Sequence, residues 1–228
     1  MYTLIIGNKN YSSWSLRPWV LMRERGIEFQ EKLEPFDGDR TFGKFRAFSP
    51  SAKVPCLVDG TTTVWDSLAI AEYLAERHPG VWPQAAAARA WARSAAAEMH
   101  SGFADLRNIC SMSVGVRVRL HAIPPALQQD LRRIDELWQD GLKRHGGPFL
   151  GGQSFCAADA FYCPVAFRIQ TYGLEVSAAS GAYARRLLAL PSMQAWYAEA
   201  LAEPWRDPGH DDHIKAAGTW LEDNRRPV

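Results

Sequence analysis

Asn10-Tyr11-Ser12-Ser13-Trp14-Ser15-Leu16-Arg17-Pro18 follows closely on the apolar run Thr3-Leu4-Ile5-Ile6, so that a strand signal passes into a helix signal within a few residues. A proline fits the first turn of a helix, where its missing N–H would have had no partner, and Pro18 therefore predicts a helix start near Trp14 or Ser15. Leu16, Trp19 and Val20 then share one helical face. Ser12 and Ser13 stand just ahead of that start, beside the positive end of the helix dipole. A hydroxyl there either caps the helix or hydrogen-bonds an anion such as a thiolate.

Beyond this helix, Phe29 to Leu33 carries a weak strand signal, and two stronger β runs, Val54 to Val58 and Thr61 to Trp65, flank the hairpin turn Asp59-Gly60. Ile70, Tyr73 and Leu74 mark the face of a further helix. Pro55 opens a strand, which confines it to an edge or a bend. A trans Val54–Pro55 bond leaves a plain edge strand; a cis bond turns the Val54 backbone groups outward, where an extended peptide can pair with them. Asp66-Ser67 opens the next helix: free N–H groups with the Ser67 hydroxyl suit a carboxylate and Asp66 suits an ammonium group, while the same pair also reads as an ordinary cap.

Alanine separates the two halves of the chain, with 5 in residues 1–84 and 27 in residues 85–228. Domains are expected at 1–78 (mixed α/β) and 88–228 (all-helical), joined by a linker at 79–87. In the second half Met99, Phe103, Leu106 and Cys110 make one helical stripe, and Leu127, Leu131, Ile134, Trp138 and Leu142 another, which starts at Pro124-Pro125 and ends at Gly146-Gly147-Pro148. Further helices are expected at about 157–172 and 192–202. Gly209-His210-Asp211-Asp212-His213 reads as a polar loop before a short helix rather than a metal site.

Composition excludes several classes of function. A chain of 228 residues with 47% hydrophobic residues and a formal charge of +1 is an ordinary globule without a global field toward nucleic acid or an anionic membrane. No apolar run approaches the roughly 20 residues of a membrane span, and no signal-like N-terminus is visible, so a cytoplasmic location is expected. The four cysteines form no C-x-x-C pair and no metal-finger spacing, which argues for reduced core residues.

The order of these motifs resembles the soluble glutathione transferases over nearly the whole chain. Ser12-Ser13-Trp14-Ser15-Leu16-Arg17 is similar to the Ser-Ser-Cys-Ser-x-Arg segment of the zeta class, and the chain resembles most a bacterial serine-type, zeta-like or unclassified subgroup. The resemblance implies a thioredoxin-like α/β domain followed by an all-helical domain, with glutathione bound between them and, in the family, a homodimer. It implies that Ser12, with Ser13 beside it, hydrogen-bonds the glutathione sulfur, that Val54 next to a cis Pro55 pairs with the tripeptide backbone, that Asp66 and Ser67 take the γ-glutamyl end, and that Lys53 reaches the glycyl carboxylate. The helical half would then supply the pocket for a small electrophile. Met99, Phe103 and Met112 either line it or belong to the core, as such a stripe ordinarily does. Arg107, Arg168 and His100 either face the cleft, where the arginines would favour an anionic substrate, or are solvated or salt-bridged side chains, the commoner case. Two departures stand out. Trp14 replaces the zeta-class cysteine, which weakens a second reading as a cis–trans isomerase of an unsaturated dicarboxylic acid. Cys156 replaces the hydroxyl expected three residues before Asp159 in Gly152-Gln-Ser-Phe-Cys-Ala-Ala-Asp159, so Asp159 is expected to close that turn differently. A non-catalytic adaptor of the same fold is disfavoured because it need not keep the ligand set.

Overall fold

The computed structural model describes residues 1–227. Strands β1 (Tyr2–Ile6), β2 (Phe29–Leu33), β3 (Cys56–Asp59) and β4 (Thr62–Trp65) form one sheet in the order β2-β1-β3-β4. β1 and β2 run parallel, which demands a crossover, and helix α1 (Ser13–Glu24) provides it. β3 lies antiparallel to β1, with Leu57 opposite Leu4, and turns into β4 at Gly60, whose φ of +57° suits a tight hairpin. A short helix α2 (Thr41–Arg46) precedes β3, and α3 (Ser67–Ala75) follows β4. α1 and α3 pack on each other and on β1 and β3, burying Leu4, Ile6, Leu16, Leu57, Ile70 and Leu74 completely. This is the expected thioredoxin-like half.

The remaining helices are α4 (Ala86–Ser101), α5 (Ala104–Ile109), α6 (Pro125–His145), α7 (Ala157–Tyr172), α8 (Ala178–Leu188), α9 (Pro191–Ala202) and α10 (Pro208–Ala217). α7 is buried around its whole circumference from Ala157 to Arg168, the signature of a helix in the middle of a bundle. It packs against α4 and α8, and also against α1 of the first half. The rings of Trp19 and Trp196 meet edge to face across the same seam, with centroids 5.2 Å apart.

Four details differ from the sequence-based expectation. The stripe Met99-Phe103-Leu106-Cys110 is not one helix: Phe103 takes a left-handed conformation at φ +56° and divides α4 from α5, although all four residues stay buried. The helical half also contains two antiparallel strands, β5 (Val116–Leu120) and β6 (Gly218–Asp223). His210 to His213 belong to α10 instead of a loop, and Asp207 caps that helix by accepting from the His210 N–H at 3.1 Å. Finally, Asp159 closes its turn in the ordinary way. It accepts from the Cys156 N–H at 2.9 Å, while the Cys156 sulfur occupies the place of the missing hydroxyl toward the Asp159 amide. Among the described residues, no helix is long and apolar enough to cross a membrane.

Candidate active site

A cavity of about 760 Å³ opens between the halves, and Ser12, Ser13, Lys53, Val54, Pro55, Asp66 and Ser67, drawn from three separate stretches of sequence, all line it. The topology accounts for their convergence. The N-terminus of α1, the entrance to β3 and the N-terminus of α3 lie at one end of the sheet, because β3 runs antiparallel to both β1 and β4, so that it starts beside the points where those strands end and pass into α1 and α3.

The three serines at the head of α1 have different tasks. Ser12 is the N-cap: its Oγ accepts from the Ser15 N–H at 3.4 Å and donates to Ser15 Oγ at 2.7 Å. Ser15 is wholly buried and also accepts from the Gly7 N–H at 3.1 Å, tying the helix start to the end of β1. Ser13, the first helical residue, has no hydrogen-bond partner for its hydroxyl among the described residues and lines the cavity. The resemblance pointed first to Ser12; the structure commits the Ser12 proton to Ser15 and leaves that of Ser13 free.

The Val54–Pro55 bond is cis, and among the described residues neither the N–H nor the C=O of Val54 has a partner within the chain. Asp66 sits at φ +75° and caps α3 by accepting from the Leu68 N–H at 2.8 Å. A non-glycine residue in the left-handed region carries strain, as residues at ligand sites frequently do. Ser67 behind it is fully buried, and Lys53 is exposed at the rim.

The opposite wall belongs to the helical half. Met112 lines it; Met99 and Phe103 do not, being packed into the core. Arg107 and Arg168 both reach the cavity. Arg168 is 3% exposed and donates from Nε to the Cys110 carbonyl at 2.7 Å, while Arg107 donates to the carbonyls of Met99 and His100 at 3.3 and 3.2 Å. Arg17 lies beneath Ser67, its guanidinium 4.1 Å from the Trp14 ring, with Arg107 4.9 Å from the same ring. Among the described residues no carboxylate lies within ion-pair distance of any of the three. Burial, with Arg107 and Arg168 adding repulsion, brings the Arg17 guanidinium down to about 9, and burial lowers Arg168 to about 10. His100 stands outside the cavity with Nε2 3.4 Å from Asp66, and burial lowers its pKa against the pull of that carboxylate.

Several wall residues were not foreseen. Phe36, from the irregular segment after β2, stacks on His210 of α10 at 5.6 Å, and His210 stacks in turn on Tyr11 at 5.1 Å. The loop carrying the serines is fastened from the far end of the chain. Glu203 accepts from the Lys9 N–H at 2.5 Å, the Trp196 indole donates to the Lys9 carbonyl at 2.9 Å, and the Tyr11 hydroxyl donates to Asp211 at 3.0 Å while accepting from Arg225 at 2.9 Å. No local sequence signal reports contacts between residues some 200 positions apart.

Residues 11–77 match the family model described as glutathione S-transferase, N-terminal domain. The chain is 26% identical over 172 residues to a probable maleylacetoacetate isomerase of Caenorhabditis elegans, covering 73% of this chain and 78% of that protein. It is 27% identical over 157 residues to a zeta-class glutathione S-transferase of Euphorbia esula, covering 67% of this chain and 70% of the relative. A Burkholderia glutathione transferase homologue, crystallised with bound glutathione, has the same fold at a TM-score of 0.64 and 24% identity, over 87% of this chain and 97% of that one. Residues 11–77, which hold the serines, Val54-Pro55 and Asp66-Ser67, thus match a glutathione S-transferase N-terminal domain, and over two thirds or more of its length the chain is similar to zeta-class and isomerase relatives.

Proposed function

We propose that the cavity binds glutathione and activates its thiol for attack on a small electrophile. The observation that carries this reading is the meeting of Ser12, Ser13, Lys53, Val54, Pro55, Asp66 and Ser67 on one wall. Val54 offers an unpaired backbone N–H and C=O to an extended peptide. Asp66 takes the γ-glutamyl ammonium, Ser67 and the α3 N-terminus take its carboxylate, and Lys53 takes the glycyl carboxylate. The division of labour follows the expected domains, 1–78 for glutathione and 88–228 for the electrophile, with 79–87 between them. A cytoplasmic homodimer with a detoxifying role is part of the same proposal.

The protein's task is to make a thiolate. A free thiol has a pKa of about 8.5, and lowering it by about two units takes roughly 2.7 kcal/mol of preferential thiolate stabilisation. The uncommitted Ser13 hydroxyl supplies a charge-assisted hydrogen bond, and the first-turn amides of α1 with their dipole supply the remainder. Ser12 keeps the helix start in place through its bonds to Ser15. The thiolate sulfur then attacks the electrophile, and the electron pair of the breaking or polarised bond leaves toward the helical wall.

A second reading, glutathione-dependent cis–trans isomerisation of an unsaturated dicarboxylic acid, is favoured by Arg107 and Arg168, two cations that reach the cavity without a carboxylate partner among the described residues. Trp14, where the zeta class has cysteine, counts against it. A crystal soaked with glutathione tests both. Sulfur density at Ser12 and Ser13 with the γ-glutamyl end at Asp66 supports the shared site, and turnover of a halogenated aromatic electrophile against an unsaturated diacid separates the readings.

A further inference from the structure

The polar segment that opens α10 is largely accounted for by the fold. Asp211 holds the Tyr11 hydroxyl and the Arg225 guanidinium, His213 Nε2 lies 2.5 Å from the Asn108 carbonyl, and Asp212 is exposed beside Lys215. His210 is different, because it lines the cavity and uses only one of its two ring nitrogens. Asp207 Oδ1 accepts from the His210 N–H at 3.1 Å, and its other oxygen lies 3.3 Å from Nδ1. A carboxylate there keeps a proton on Nδ1 and fixes the direction of the ring. Nε2 has no hydrogen-bond partner among the described residues.

The ring is placed by two stacks, on Tyr11 at 5.1 Å and on Phe36 at 5.6 Å. Tyr11 immediately precedes Ser12. Phe36 meets Val54 over Gly7, where a Cβ would come within 2.9 Å of the Phe36 ring and 3.1 Å of the Val54 side chain. His210 thus borders the two places that the proposed docking gives to the sulfur and to the cysteinyl backbone of glutathione. Stacking alone needs no nitrogen, and a phenylalanine would fill the same slot. An uncommitted Nε2, with a carboxylate behind the other nitrogen, is the arrangement of a general acid.

We infer that His210 is the proton donor of the reaction and that the electrophile is one that must take up a proton, a conjugated carbonyl compound. The inference rests on the proposed activation of glutathione in this cavity. The thiolate forms a C–S bond at the β-carbon, the C=C π pair moves onto the α-carbon and carbonyl oxygen as an enolate, and the imidazolium Nε2–H delivers its proton to that enolate. Neutral imidazole remains. Water returns a proton to Nε2, balancing the one released when the next glutathione ionises. Displacement of a halide from an aromatic ring ends with the halide leaving and calls for no such donor.

The test compares wild type, His210→Phe and His210→Gln on two electrophiles, benzylideneacetone, a conjugated enone, and chlorodinitrobenzene, which expels chloride. His210→Phe keeps a ring between Tyr11 and Phe36. It should lower kcat for the enone about 100-fold, at least about tenfold more than for the chloroarene, with the KM for glutathione little changed. His210→Gln should show the same selective loss, which is read in whichever variant unfolds nearer the wild-type temperature. No loss for the enone, equal losses for both electrophiles, or a raised KM for glutathione as the main effect overturns the role of His210. Wild type that turns over the chloroarene but not the enone overturns the substrate class and leaves thiol activation standing. Turnover of neither overturns the activation itself, and the inference with it.

Discussion

Replacing Ser12 and Ser13 separately by alanine should divide two properties that sequence alone leaves joined. Ser12 donates to Ser15 at 2.7 Å and caps α1, so Ser12→Ala removes a cap and should lower stability by about 1 kcal/mol, or about 2–4 °C for a chain of this size. Among the described residues Ser13 makes no hydrogen bond through its hydroxyl, so Ser13→Ala should leave the unfolding temperature within about 1–2 °C of wild type. Its effect should fall on the ligand. A hydrogen bond to a charged group is worth about 1.5–3 kcal/mol, which at about 1.36 kcal/mol per unit raises the bound thiol pKa by about 1–2 units. With the bound thiol starting at about 6.5, the thiolate fraction at pH 7 falls from about three quarters to about one quarter for one unit and to about 3% for two, so kcat should fall about 3- to 25-fold with the KM for glutathione little changed. Ultraviolet titration of the bound thiolate in both variants, beside calorimetric melting, checks the pair. A pKa rise confined to Ser12→Ala would show that Ser12 swings from Ser15 to the sulfur on binding and would refute the assignment to Ser13. A rise in neither would leave the helix amides as the sole source of activation.

Asp66→Ala should weaken glutathione binding by about 1.5–3 kcal/mol, measured by calorimetry, and unchanged affinity removes Asp66 from the site. Asp159 accepts from the Leu150 and Cys156 amides, each at 2.9 Å, and from the Tyr183 hydroxyl at 2.7 Å, so Asp159→Ala strands three buried donors. It should lower stability by about 3–5 kcal/mol in urea unfolding; a loss below about 1 kcal/mol contradicts that role. Burial depresses the His100 pKa below its usual value of about 6.5, so the folded state binds fewer protons there than the unfolded chain. The His100 contribution is therefore intact above pH 6.5 or so and is lost as the pH falls through the lowered pKa. The gap between urea midpoints at about pH 7.5 and 5.5 should narrow in His100→Gln, and an equal gap in both proteins counts against it.

Much of the first half was legible because its signals are local. The serines before Trp14 open a helix, although Pro18 falls on its sixth residue and not in its first turn. Asp59-Gly60 signals a hairpin, whose two-residue loop is Gly60-Thr61. Asp66-Ser67 opens a helix, so that α1 and α3 begin within a residue or two of their expected places. The long helices of the second half were equally plain, α7 running over Ala157–Tyr172 as expected. Val116-Arg-Val-Arg-Leu120 alternates apolar and charged residues with the period of a strand, but its partner Gly218–Asp223 lies about a hundred residues away, and the alanine-rich surroundings favoured helix. The break at Phe103 escaped because the stripe it interrupts stays buried on both sides. The arginines show the same limit: helical periodicity sets Arg107 and Arg168 among apolar neighbours, but only tertiary packing turns both toward the cavity.

The fastening of residues 9–11 by Glu203, Asp211 and Arg225 sets an order of events for a newly made chain. Synthesis runs from the N-terminus and domains generally fold as they emerge, so the sheet of the first half can form early. Ser12 and Ser13 open a helix directly after residues 9–11, whose anchors are joined some 190 residues later. A ribosome-bound chain halted before residue 203 would then carry a folded sheet with an unset nucleophile cradle. Binding competence then waits for residues 203–225 to be joined and packed, which keeps shorter nascent chains from competing for glutathione.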